Sequence, residues 1–275
     1  MSQRTSRRFQ WPLFVVLALV FVLTLLPFYL TLANSLKYRM QITMNIWIPT
    51  PPFHFDNYAR AFREIWRGLF NSVFVTACII LGALLCSSLA AYSFARFSFP
   101  GKTFLYFSII AFLMIPGFLT LIPQFMLFRD MKLLNTYTCI ILPVIATTAV
   151  MPTIFFRTFF EGLPKSLLES AEIEGAGELR IFFQIVLPLS KSMIGTVVIL
   201  TGLAGWNNYI WPLVTLTDRA IMPVILQLRY IPEGTLEGMG PRLAGYTIAS
   251  VPLVVLFAIA TKPFIRGVTS GAIKL

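Results

Sequence analysis

Charge is scarce in this sequence. Asp, Glu, Lys and Arg make up 12% of its 275 residues, about half of the ~25% usual for a soluble domain. A soluble domain is thereby excluded. Histidine occurs once, at His54, and the three cysteines, Cys78, Cys86 and Cys139, all lie inside apolar stretches. Neither a zinc spacing nor a disulfide framework can be assembled from these residues, and a His-containing triad would have to use a lone loop residue. Gly101-Lys102-Thr103 has the ending of a phosphate-binding loop, but Arg96 stands where the first glycine would be needed. Nucleotide binding in that manner is excluded too.

What the sequence has in abundance is apolar length. Hydrophobic residues account for 57% and the mean hydropathy is +0.79. The charges crowd together and leave six charge-free runs, 9–36, 68–95, 103–128, 133–156, 192–217 and 243–261, of 19 to 28 residues each. A helix needs roughly 20 apolar residues to cross a ~30 Å hydrocarbon core, whereas barrel strands would alternate over ~10 residues. The expectation is an all-α integral membrane protein, one transmembrane domain over 1–275. Its spans are predicted at about 12–33, 70–95, 104–128, 135–156, 192–213 and 243–261. Run 9–36 is about twice the length of a signal-peptide core and is read as the first span. No Asp, Glu, Lys, Arg or His lies in any run, which argues against a proton relay or an ion-coupled carrier.

The net charge of +11 suits anionic lipid better than nucleic acid, because the basic residues are spread over every connection and form no single stripe. Six spans put both termini on one side. Lysines and arginines number 12 on that side and 10 on the other, and the two tails carry basic residues without an acid. Both termini, with the tail 262–275, are therefore expected in the cytoplasm. Two long outer connections, 34–67 and 218–242, are rich in Pro, Trp and Tyr. They offer either a docking surface or an interfacial aromatic belt.

The cytoplasmic stretch 157–191 holds nine charges in 35 residues, among them Glu161, Glu169, Glu172, Glu174 and Glu178. Within 161–189 a helix–bend–helix is expected. Ser166-Leu167-Leu168-Glu169 matches a capping box, and Gly175-Ala176-Gly177 interrupts the helical pattern. A second helix with Ile181, Phe182, Ile185 and Val186 on one side closes at Pro188. Leu168, Ala171 and Gly175 share one face, and small Ala171 and Gly175 would let another protein approach the backbone. Glu178, beyond the bend, is expected to matter less.

Uncharged polar residues recur in the runs, including Asn71, Ser72, Gln124, Asn135, Thr147 and Thr148. Buried amides and hydroxyls commonly hold helices together. Trp206-Asn207-Asn208-Tyr209 with Trp211 is less usual, since aromatic faces beside amides suit a polyhydroxylated ligand. It either lines a solute path or packs.

The segment Glu169-Ser170-Ala171-Glu172-Ile173-Glu174-Gly175-Ala176, with Phe182, Ile185, Leu187 and Pro188 after it, resembles the EAA loop of bacterial ABC importer permeases. Ser170 and Glu174 depart from the usual Ala and Asp while keeping size or charge. Ala91–Lys102, Trp206–Leu213 and Phe264–Lys274 look like the carbohydrate-uptake branch, similar to the second membrane subunit of maltose transporters. The resemblance runs from about residue 12 onward. It implies a type I inner-membrane permease paired with a sister permease, two cytoplasmic ATPase subunits and an extracellular solute-binding protein. Cofactors would be ATP and magnesium at the ATPases, and none on this chain. Glu169, Ala171, Glu174, Gly175 and Ala176 would be coupling residues. Which of the two permeases holds the sugar stays open. Rival readings are a permease for another solute, such as a glycerophosphodiester, and a lipid-modifying membrane enzyme. The first would favour a basic group in the path and the second would need a titratable cluster, and the runs hold neither.

Overall fold

The structure is a computed structural model that describes residues 5–232 and 238–272. Those residues form helices and connections, with no strand among them. In chain order the first helices are α1 (Thr5–Ser35), α2 (Arg39–Met44), α3 (Asp56–Arg96), α4 (Lys102–Ala111) and α5 (Leu121–Asp130). Then come α6 (Tyr137–Thr148), α7 (Val150–Glu161), α8 (Lys165–Ile173), α9 (Glu178–Ile181) and α10 (Leu187–Leu189). The last are α11 (Lys191–Trp206), α12 (Ile210–Thr215), α13 (Val224–Gln227) and α14 (Met239–Ala272).

All six charge-free runs are helical, but only three are unbroken spans: Trp11–Ser35, Asp56–Arg96 and Met239–Thr261. Prolines explain the other three. The expected span 104–128 stops at Met114, and Ile115 ahead of Pro116 is extended, with φ −86° and ψ 113°, as the residue before a proline prefers. Lys102–Met114 and α5 are its two pieces. The expected span 135–156 is the pair α6 and α7, bent by 42° at Ala149. Pro152 lies four residues after Thr148, so the hydrogen bond that would carry α6 into α7 has no donor. The expected span 192–213 is helical only to Trp206. It restarts as α12, where Pro212 stands four residues after Asn208.

Close contacts divide the chain into two units, one from residues up to Trp66 and Gln227–Ser250, the other from Arg67–Leu226 and Val251 onward. In the first unit the chain folds tightly around a buried cation. Lys37 has no exposed surface, and its ammonium donates to Asn34 Oδ1 at 3.1 Å and to the Asn45 carbonyl at 2.8 Å. Burial pushes its pKa below the ordinary lysine value. Asn57 Nδ2 donates to the Ser35 and Lys37 carbonyls. Gly240 fits against this turn because a Cβ there would lie 2.1 Å from the Lys37 carbonyl oxygen. The lone His54 stacks on Tyr38 with ring centroids 3.4 Å apart.

In the second unit, side chains of the apolar runs fasten the connection after α12 and the start of α6. Asn71 on α3 donates to the Ala220 and Met222 carbonyls and accepts from the Tyr137 hydroxyl. Ser72 accepts from the Val224 amide. Asn135 Oδ1 accepts from the amides of Thr217 and Asp218, and Trp211 donates to the Cys139 carbonyl at 2.7 Å. These polar residues hold irregular backbone in place, the use expected of buried amides in apolar surroundings.

Candidate functional site

The loop after α7 is a helix, a tight bend and a second helix, as its glycines and apolar spacing require. α8 opens at Lys165 with Pro164 in the N-cap position. Proline suits a helix start because the first amides have no intrahelical partner. Ser166 therefore lies inside the helix and does not cap it, which corrects the capping box expected at Ser166 and Glu169.

α8 ends in a Schellman motif. The Ala176 amide donates to the Ala171 carbonyl and the Gly175 amide to the Glu172 carbonyl, both at 2.9 Å, while Gly175 takes φ +80°. That conformation is nearly free for glycine and costs other residues roughly 1–2 kcal/mol. Ala176 packs on the same core as Ala171, completing the apolar contact typical of the motif. Beyond the bend α9 runs into a π turn over Phe182–Val186 and on through Pro188 to Leu189. Pro188 therefore does not close the helix where expected. The carbonyl its ring would meet belongs to Gln184, and Gln184 lies within the widened turn.

Burial decides which side of the loop faces out. Leu168 and Ala171 are 8% and 7% exposed, packed with Tyr92, Phe156, Phe160 and Phe182. The expected small face of Leu168, Ala171 and Gly175 thus turns towards this chain's own core for its first two members. The apolar stripe of an amphipathic helix goes to the nearest apolar surface, and here that surface is intramolecular. The outward side carries Glu169, Glu172, Glu174, Gly175 and Ile173, the last 88% exposed. A cavity of about 290 Å³ opens beside it, with Arg96, Glu161, Lys165 and Glu169 in its wall.

The loop is also held electrostatically. Arg96, the last residue of α3, pairs with Glu172 before the bend and lies 3.5 Å from Glu178 Oε1 after it. One turn earlier, the Tyr92 hydroxyl donates to Glu178 Oε2 at 2.5 Å. Glu178 is thus tied to α3 by contacts that the spacing of the loop residues did not foretell. Arg157 on α7 pairs with Glu161 at 2.8 Å and lies over the Tyr106 ring.

The second candidate group sits at the break between α11 and α12. Trp206 and Trp211 are both 6% exposed and serve packing, Trp211 lying edge-on to Phe128. Asn207 and Tyr209 are exposed and Asn208 is half-buried. Among the described residues no hydrogen bond holds either asparagine side chain. The break therefore presents two uncommitted amides and one phenol.

The sequence that builds this loop and most of the apolar spans matches a known family profile. The profile, described as binding-protein-dependent transport system inner membrane component, covers residues 83–270. The chain belongs to this family. The permease is 34% identical over 283 residues to the arabinooligosaccharides transport system permease protein AraQ of Halalkalibacterium halodurans, with both chains fully covered. It is 32% identical over 209 residues to the sn-glycerol-3-phosphate transport system permease protein UgpE of Escherichia coli, covering 75% of this chain and 73% of that one. The permease also shares the fold of a chain in the crystal structure of a bacterial ABC transporter involved in the import of the acidic polysaccharide alginate. The TM-score is 0.82 at 21% identity, over 96% of this chain and 99% of that one. It is a multi-pass membrane protein of a transport family, with the type I importer permease fold.

The two loop glycines separate conformation from space, since a Cβ would meet nothing within 4 Å at either Gly175 or Gly177. Only Gly175 has a positive φ, Gly177 lying at −70°. Gly175→Ala is expected to weaken the bend by about 1–2 kcal/mol, and to speed amide exchange at Ala176 about tenfold. Gly177→Ala should leave that exchange unchanged. Hydrogen-exchange mass spectrometry of the loop peptides reads the difference, and equal effects of the two variants would contradict the assignment of the bend.

Proposed function

We propose that this chain is one membrane-spanning subunit of an ATP-driven importer for a neutral carbohydrate. It would work by alternating access with a sister permease, two cytoplasmic ATPase subunits and an extracellular solute-binding protein. The observation that carries the reading is the exposed side of the helix–bend–helix loop, a braced acidic ridge with an unpartnered Ile173 at its edge. A ridge held rigid on its own core and bare on its other side is built to seat in another protein.

In this reading Glu169, Glu174, Gly175 and Ala176 form or shape the contact with the ATPase. Ala171 supports it from beneath, by letting α8 lie close on Tyr92. ATP and magnesium belong to the ATPase subunits, and this chain contributes no nucleotide site. Closure of the ATPase pair would push the loop, and the spans attached to it would exchange outward-open for inward-open. Asn207, Asn208 and Tyr209 then face the solute path, where amides and a phenol exchange hydrogen bonds with hydroxyl groups, while Trp206 packs behind them.

A carbohydrate is favoured because AraQ-type relatives carry arabinooligosaccharides in their names and because the runs contain no basic group for an anion. The similarity to UgpE favours a second reading, import of a glycerol phosphate. Both can be tested on one preparation. The complete transporter, reconstituted in liposomes with its binding protein, is expected to take up labelled arabinotriose on addition of ATP, and sn-glycerol-3-phosphate in excess should not compete. Competition by the phosphate with no uptake of the saccharide would overturn the carbohydrate reading. The isolated chain is expected to hydrolyse no ATP.

The same reading puts the loop and both termini in the cytoplasm. In a chain freed of its three cysteines, a cysteine at exposed Leu179 should resist an impermeant maleimide in intact cells and react in inverted vesicles. A cysteine at exposed Met44 should behave the opposite way. The reversed pattern would invert the topology.

A further inference from the structure

The coupling loop is fastened across its own bend by groups from a different element. Glu172 lies on α8 and Glu178 opens α9, with the Schellman turn at Gly175 between them. Such a turn fixes a local angle, but it does not by itself fix the direction of the nine-residue α8 on one side and the continuous helix Glu178–Leu189 on the other relative to α3. The groups that can are Arg96 and Tyr92. The guanidinium takes one carboxylate on each side of the bend, a task suited to its planar fork of donors. The Tyr92 hydroxyl takes the second oxygen of Glu178. Its ring, 6% exposed, packs 5.2 Å from Phe182 and 6.3 Å from Phe160. Arg96 and Tyr92 are one turn apart at the end of the 41-residue α3, so both project from one helix face.

We propose that Arg96 and Tyr92 form a brace that makes α8, α9 and the end of α3 move as one body, and that Arg96 is thereby a positioning residue for coupled transport. Force applied to the exposed side of the loop reaches the span through these polar contacts as well as through apolar packing. Packing alone would allow the loop to slide or tilt, because dispersion contacts are non-directional. A bifurcated ion pair with a tyrosine on the same carboxylate fixes orientation. The effect on transport rests on the importer reading above, while the brace itself does not.

Two measurements on the intact chain and the complete transporter separate these levels. In lipid nanodiscs, Arg96→Gln is expected to raise amide exchange in the 165–181 peptides at least fivefold, with the exchange of α14 peptides unchanged. Tyr92→Phe should raise it less, and Arg96→Lys, which keeps the charge but loses the fork, should fall between wild type and Arg96→Gln. In liposomes with ATPase, sister permease and binding protein, Arg96→Gln should still carry the ATPase subunits. The number of ATP molecules hydrolysed per arabinotriose imported should rise at least fivefold, and Arg96→Lys should restore part of the coupling. Unchanged loop exchange in Arg96→Gln overturns the brace whatever the transport result. Looser exchange with an unchanged ATP-to-solute ratio overturns its role in coupling, and so does loss of the ATPase subunits from Arg96→Gln, which would make Arg96 part of the docking surface. A wild-type transporter that hydrolyses ATP and moves no solute would defeat the importer reading, while the exchange measurement still decides the brace.

Discussion

Backbone amides and carbonyls have no water to turn to inside a hydrocarbon layer, so every interruption of a spanning helix must be answered from within the protein. This chain interrupts three of its six apolar runs, at Pro116, at Ala149 and at Asn207. The scarce polar residues of the runs find their use near the second of these breaks and at the connection after α12. Thr147 and Thr148 return hydrogen bonds to the carbonyls of Pro143 and Val144 near the bend between α6 and α7. Asn71, Ser72 and Asn135 hold the irregular backbone between Thr217 and Val224. Each is committed to the main chain. Asn207 and Asn208, at the third break, are not.

The loop follows the opposite logic, since it lies among charged residues and need not hide its backbone. Its problem is direction. Leu168 and Ala171 bury an apolar stripe, Gly175 turns the chain through a conformation other residues resist, and Arg96 reaches both sides of the turn. Packing, backbone conformation and charge thus each fix one aspect of the same short segment. What remains bare is the acidic outer side with Ile173.

The all-α membrane class, the six apolar runs and the helix–bend–helix were legible in composition, charge spacing and glycine placement. The breaks within the runs were not, because counting charge-free length ignores prolines, although Pro116, Pro152 and Pro212 were in plain sight. The expected capping box failed since Pro164 and Lys165 begin the helix earlier, which puts Ser166 in its first turn. Ala171 was read as an outward contact because it is small. Smallness serves close packing on either side, and only the fold shows that its neighbour is Tyr92's cluster. The contacts of Glu178 were hidden because its partners, Tyr92 and Arg96, lie more than eighty residues earlier in the chain. Part of the connection 218–242, expected on the outer side, and the end of the tail 262–275 lie outside the described residues.

The claim on which the account turns is that the outer side of the loop, and not its small inner side, meets the ATPase. Single cysteines at Ile173 and at Ala171, in a cysteine-free chain assembled with its partners, test it through a short thiol-to-amine cross-linker. The account predicts that Ile173→Cys joins the permease to an ATPase subunit and that Ala171→Cys yields no such product. Cross-linking from Ala171→Cys with none from Ile173→Cys would contradict it.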